Sequence, residues 1–240
     1  MIILLSITLV AFARGPGGGV GGGGTNGTGG GGGRIALDAA EEIHLLFMRA
    51  EEKLAHDVYE ALGREFPDYA IFSNIMNSET NHVETMIEKI EQFELTDPNI
   101  LDGPGEFNAA NFGAYFTEKY TALTDVDADP QIPPLLQALL NGALIEELDM
   151  HDIIYCPEII VETVADISDQ YGCGMDYTDA KALIRSYGNL LDGSENHLRA
   201  FVRVLETNYT ASDYPEFFTE DGLYKAQYLS QDAVDEILGR

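Results

Sequence analysis

Four carboxylates and two imidazoles occur in this sequence at positions where an amphipathic helix would bury only apolar groups. Glu52 falls in a series with Leu45, Met48, Ala55, Tyr59 and Leu62; Glu79 and His82 fall among Ile75, Val83, Met86 and Ile90. Glu146, with Asp149 beside it, shares a face with Leu139, Ala143, Met150 and Ile153, and His197 shares one with Leu190, Ser194, Phe201 and Val204. The spacings are three and four, which is the repeat of one helical face. Burying an unpaired carboxylate costs on the order of several kcal/mol, so four of them demand compensating charge. The chain has few cations to give: 13 Lys plus Arg and 5 His stand against 41 Asp plus Glu. Two divalent metal ions would supply the charge directly, each carboxylate binding or bridging them while a neutral imidazole completes the shell. Glu79 and His82 point from one helical turn toward one spot, the Glu-x-x-His pairing that two-iron and two-manganese sites use in helical bundles.

Each assignment has a plainer competitor. Glu52 could be a helix-surface partner of Lys53 or His56, Glu79 and His82 a buried ion pair, and His197 a core histidine bonded to Ser194 or Tyr59. A small rotation of the third long helix would turn Glu147 inward in place of Glu146, along a stripe of Leu140, Leu144 and His151. His44, His56 and His151 are assigned to the surface.

The elements that must position these groups are helical. Asp38-Ala39-Ala40-Glu41 is a capping-box pattern, so a first helix is predicted from about residue 38 to Gly63. Pro67 and Asp68 open a second, which Asp97-Pro98 stops. A loop rich in Gly and Pro over 98–108 and a shorter helical stretch from Ala109 to Leu123 make a crossover. Asp129-Pro130 and Pro133-Pro134 then start a third long helix, and a fourth runs from about Tyr177 to Thr207. No stretch alternates with period two for long enough to argue a sheet. The expected class is all-α, a four-helix bundle with a long crossover between the second and third long helices, which is the ferritin-like arrangement.

The segments MRAEEKLAHDVYEAL from Met48, FSNIMNSETNHVETM from Phe72, NGALIEELDMHDI from Asn141, GSENHLRAF from Gly193 and YLSQDAVDEILG near the end carry a family resemblance. The chain resembles the ferritin-like superfamily, and most closely its family of unknown function numbered 2202, over most of residues 41–239. The resemblance implies metal ligands at Glu52, Glu79, His82, Glu146, Asp149 and His197. Glu52 and Tyr59, seven apart, look like the first-helix Glu and Tyr pair of ferritins, which suggests a redox or hydrogen-bonding role for Tyr59. Glu146 and Asp149 resemble the two acids three apart on the third helix of rubrerythrin-like proteins. The fourth helix departs from the pattern: Ser194 stands three before His197 where a Glu is expected, and Glu195 points away around the helix. Either Asp149 substitutes for that carboxylate or the site holds fewer metals.

The rest of the chain bounds where and with what it acts. Residues 1–13 contain an apolar run too short to span a bilayer and end in Ala11-Phe12-Ala13, a signal-peptidase pattern, although no basic residues precede the run. Residues 14–34 hold most of the 25 glycines and read as a flexible linker, leaving 35–240 as the folded domain. Export to an extracellular or cell-surface location is the expectation. Cys156 and Cys173 would then pair, closing a loop worth about 3 kcal/mol in the chain-entropy view; in a reducing compartment they would be two small apolar residues. Asn26-Gly27-Thr28 and Asn208-Tyr209-Thr210 fit the glycosylation pattern. A net charge of -28 argues against the basic footprint that phosphate binding needs, so nucleic acid is not an expected partner. Membrane insertion after processing is not expected either. The expected partners are metal ions and a small oxidant, and a homodimer is left open.

Oxygen-rich ligands suit two iron ions or manganese better than zinc. Oxidative chemistry with oxygen or peroxide, of ferroxidase or peroxidase type, is the leading expectation. The competing class is a metal-poor bundle that serves as an exported binding or structural module, and Ser194 favours it. With no CxxC pair, a rubredoxin-type electron relay is not encoded.

Overall fold

The structure, a computed structural model, describes residues 36–99 and 103–240. The expected signal segment and glycine-rich linker lie outside the described residues.

Asp38 starts the first helix as its spacing predicts. Its Oδ1 accepts from the amides of Ala40 and Glu41 at 2.9 Å each, while the Asp38 amide donates back to Glu41 Oε2 at 2.9 Å. This reciprocal cap is worth about 1 kcal/mol and opens α1 (Ala39–Glu65). After a connection of four residues α2 (Ala70–Gln92) begins, so the two helices run back to back. It stops short of Asp97-Pro98 because Glu94 turns into the left-handed region at φ 62. The crossover carries α3 (Gly113–Thr124), which begins four residues later than Ala109. Pro133 and Pro134 then launch α4 (Pro134–Ile154), a proline in the first turn being tolerated where no amide partner is needed. Two short helices, α5 (Glu158–Thr163) and α7 (Gln231–Leu238), were not predicted; α6 (Lys181–Asn208) is the fourth long helix. Among the described residues there is no strand, only an isolated bridge between Phe218 and Tyr224.

The result is an all-α bundle. α1 packs chiefly on α2, and α4 chiefly on α6; the pairs meet where α2 touches α6 and α1 touches α4. α1 is the most enclosed, because α3 covers its remaining side. Phe47 on α1 meets Phe112 and Phe116 with ring centroids 5.6 and 5.0 Å apart, and Arg49 pairs with Asp97 at 3.0 Å. Lys53 bonds Asp57 and the Gly103 carbonyl while lying over the Phe107 ring. These ties fasten the crossover to α1 and leave the opposite face of α1 for the interior. Cys156 and Cys173 form a disulfide in the connection between α4 and α6.

Candidate metal centre

The four long helices each deliver polar side chains to one buried point between them. α1 brings Glu52 and Tyr59, α2 brings Glu79 and His82, α4 brings Glu146 and Asp149, and α6 brings Ser194 and His197; all eight are buried. Glu79 stands at the middle. Its Oε2 is 2.8 Å from His82 Nδ1 and its Oε1 is 2.8 Å from His197 Nδ1, so one carboxylate spans two histidines. Glu52 Oε2 lies 3.2 Å from His82 Nδ1, and Glu146 Oε2 lies 3.3 Å from His197 Nδ1. The two imidazoles stack with centroids 5.5 Å apart. Two triads result, Glu52–Glu79–His82 and Glu79–Glu146–His197, each with ligand atoms within 4.8 Å of one another. These buried groups could hold a metal ion, and the shared Glu79 makes the two triads one site.

The directions of these contacts matter as much as their lengths. Of the four approaches between imidazole and carboxylate, only His82 to Glu52 is aligned as a hydrogen bond. His197 Nδ1 has no aligned partner although Glu79 is 2.8 Å away, and Glu52 Oε1 and Asp149 Oδ1 are buried without any. Polar atoms crowded together yet not aimed at each other are what a set of ligands converging on a common point looks like, and such orphans are otherwise costly.

Neighbours fix the orientation of the ligands. Tyr59 donates its hydroxyl to Glu146 Oε1 at 2.5 Å, which leaves Oε2 to face His197. Ser194 donates to Asp149 Oδ2 at 2.5 Å, leaving Oδ1 free. A glycine makes room. A β-carbon on Gly142 would fall 2.4 Å from the Phe201 ring, so α4 and α6 approach closely only because it is absent.

Electrostatically the site is a set of opposed charges out of water. Burial raises Glu52 to about 7 even though His82 opposes it. Burial would raise Glu79 as well, but the two imidazoles of His197 and His82 close against it override that and bring it down to about 2. Burial lowers both imidazoles, yet Glu52 and Glu79 carry His82 up to about 12, and Glu146 and Glu79 carry His197 to about 10. Asp149 is pushed well up by burial and the surrounding acids. Two imidazolium ions therefore stand, in the metal-free protein, where cations are needed.

Residues 41–240 match the family described as "Uncharacterized protein domain (DUF2202)". The chain belongs to that family. It is similar to "Uncharacterized protein MJ0754" of Methanocaldococcus jannaschii, 32% identical over 198 residues that span 82% of this chain and 86% of the relative. The crystal structure of hypothetical protein MJ0754 has the same fold, with TM-score 0.64 and 30% identity over 86% of this chain and 96% of that one.

In this DUF2202 domain the predicted residues Glu52, Tyr59, Glu79, His82, Glu146, Asp149 and His197 all come together. Lys53 and His56 both pair with Asp57 instead of Glu52, so the surface reading of Glu52 does not hold. Glu195 points outward to Arg199. His44 is a correction: it is buried, with Nδ1 2.9 Å from the Tyr187 hydroxyl and Nε2 2.8 Å from the Asp152 carbonyl. His56 and His151 are half-buried beside Asp57 and Asp152. Glu147 is also buried, but on the far side of α4, where it accepts from the Tyr224 hydroxyl and the amides of Gln227, Tyr228 and Leu229. Sequence reasoning missed Glu51, which is buried next to Glu52. The signal was available: Phe47, Glu51, Leu54 and Val58 make a second stripe on α1, at the same helical spacing as the first.

Proposed function

We propose that this chain is an exported, ferritin-like carboxylate protein for two metal ions, iron or manganese, that carries out oxidative chemistry of ferroxidase or peroxidase type. The observation that carries the reading is Glu79, whose two oxygens face two histidines from two helices, each histidine flanked by a further carboxylate. Glu52 and His82 would hold one ion, Glu146 and His197 the other, and Glu79 would serve both. Asp149, steadied by Ser194, is the acid available to replace the carboxylate that the fourth helix lacks. Bound iron or manganese supplies redox capacity toward dioxygen or peroxide. The protein's own contribution is to hold these ligands in place and keep them dry. Tyr59, whose hydroxyl burial and Glu146 hold well above the usual phenol range, keeps its proton and orients Glu146. The bonded pair Cys156–Cys173 supports an oxidising location, and with it export.

A second reading has one observation in its favour. The groups that would bind metal also neutralise one another as ion pairs, so a metal-poor bundle acting as an exported binding module is self-consistent. Anaerobic titration with ferrous ion, followed by exposure to oxygen or peroxide, separates the two by near-ultraviolet absorbance. The proposal expects a change that saturates at two ions per chain. A flat response at stoichiometric iron would leave the module.

A further inference from the structure

The two helices that bring histidines to the centre carry the same spacing with one difference. On α2, Glu79 stands three residues before His82; on α6, Ser194 stands three before His197. The helices meet crosswise. Glu79 reaches over to His197 at 2.8 Å, and Gly193, next to Ser194, lies against the ring of His82. A glutamate at 194 would therefore cross to His82 from α6, as Glu79 crosses to His197 from α2. Serine stops short of that. It is buried, at 1% exposure, and its hydroxyl donates to Asp149 Oδ2 at 2.5 Å with the Leu190 carbonyl 3.1 Å away.

Asp149 stands beside the gap without filling it. It belongs to neither triad, and with Oδ2 held by Ser194 it keeps one oxygen to give. It can serve an ion with that oxygen, but it cannot lay a whole carboxylate across two ions as Glu79 can. The polar atoms left without an aligned partner in the centre agree with this. They are Glu52 Oε1 on α1, Asp149 Oδ1 on α4 and His197 Nδ1 on α6; among the described residues none belongs to α2. Buried polar atoms are normally partnered, so unused binding capacity is concentrated on the three helices other than the one that supplies the bridge.

We propose that the place where Ser194 stands in for a glutamate is a binding site for a small carboxylate anion, of the size of formate or acetate. The proposal rests on the metal-centre reading and adds a ligand to it. Serine in place of glutamate removes a carboxyl group, so the molecule that restores the lost contacts is a free carboxylate. Two divalent cations nearby favour an anion there over a neutral molecule. The bond from Ser194 to Asp149 has a part in this, because it holds the aspartate to one side and keeps the place open.

The test is the visible absorption of the Co2+-loaded full-length chain, which reports what surrounds each ion, during titration with formate, acetate or benzoate at constant ionic strength. Formate and acetate should change the spectrum and saturate at one anion per pair of ions. Benzoate, too wide for the room of one side chain, should bind at least tenfold more weakly. Ser194→Glu, with its own carboxylate in place, should take up two Co2+ and respond to acetate at least tenfold more weakly. An undiminished response in Ser194→Glu, or an equal response to benzoate, would overturn the site by putting the anion elsewhere; the benzoate comparison decides alone if that variant does not fold. A wild-type chain that holds two Co2+ and shows no response would also overturn it while leaving the centre standing, and a response that appears only in Asp149→Asn would name Asp149 as the group that closes the gap. Failure of the wild-type chain to bind Co2+ would overturn site and centre together.

Discussion

Gly193 on α6 lies flat against the imidazole of His82 on α2: a β-carbon at Gly193 would sit 2.6 Å from both Cε1 and Nε2 of that ring. The ring is rigid, so any side chain there must push His82 off Glu79 or push the helices apart. The absence of one methyl group thus sets the position of a ligand contributed by a different helix.

Gly193→Ala should therefore lower metal capacity more than it lowers helix content. The expected outcome is a loss of one of the two ions, or at least a tenfold weaker affinity for it, with a stability loss of about 1–3 kcal/mol from overpacking. Equilibrium metal binding and thermal unfolding, measured on the same sample, check both parts.

Ionisation gives a second prediction. A carboxylate raised in the folded state, as Glu52 is to about 7, supports stability while protonated and loses that support as pH climbs from its unfolded value toward 7. His82 and His197, raised to about 12 and about 10, support the fold fully below the unfolded imidazole value and lose that support as pH rises through the folded ones. Glu79, lowered to about 2, acts oppositely: its contribution is present above its unfolded value and lost as pH falls toward 2. The metal-free protein should accordingly be most stable near pH 4–5 and weaken above it, and Glu52→Gln should flatten the curve between pH 4.5 and 7. Chemical denaturation across pH measures this.

Metal binding should reverse that trend, because the imidazoles must give up their protons to become ligands. Affinity should rise with pH, and binding near neutrality should release protons. Calorimetry in buffers of different ionisation enthalpy counts them, and a count of zero would mean that His82 and His197 are not ligands.

Glu147 makes a prediction about the C-terminal segment alone. Glu147→Ala would strand the amides of Gln227, Tyr228 and Leu229 and the Tyr224 hydroxyl, at a cost of about 2–4 kcal/mol. Limited proteolysis should cut between residues 218 and 230 in the variant while the four long helices resist.

Replacing Cys156 and Cys173 with serine should lower stability by about 3 kcal/mol, as expected for a closure of 17 residues, and should leave metal stoichiometry unchanged. Thermal unfolding with and without reductant compares the two states.

Much of this architecture is legible in the sequence because α1, α2, α4 and α6 each bury one continuous stripe, and a Glu or His in such a stripe stands out. Asp38 and Glu41 declare their cap, and Pro133-Pro134 declares a start. The errors come where burial is set by a neighbour that the local pattern does not contain. His44 looks like a surface residue within α1 but is covered by Tyr187 and the end of α4. Glu147 looks like an alternative ligand, yet the partners that bury it lie about 80 residues away in a segment with little periodicity. Glu51 was passed over because one helix was credited with one buried face, whereas α3 and α4 together bury a second. Short helices such as α5 and α7 are too brief for their spacing to rise above chance.

Crystals of the full-length chain loaded with Mn2+ or Fe2+, with anomalous scattering collected at the metal edge, test the central claim most directly. The account predicts two peaks on either side of Glu79, one bounded by Glu52 and His82 and the other by Glu146 and His197. Absence of density there, with His82 and His197 still paired to Glu79 at saturating metal, would contradict it.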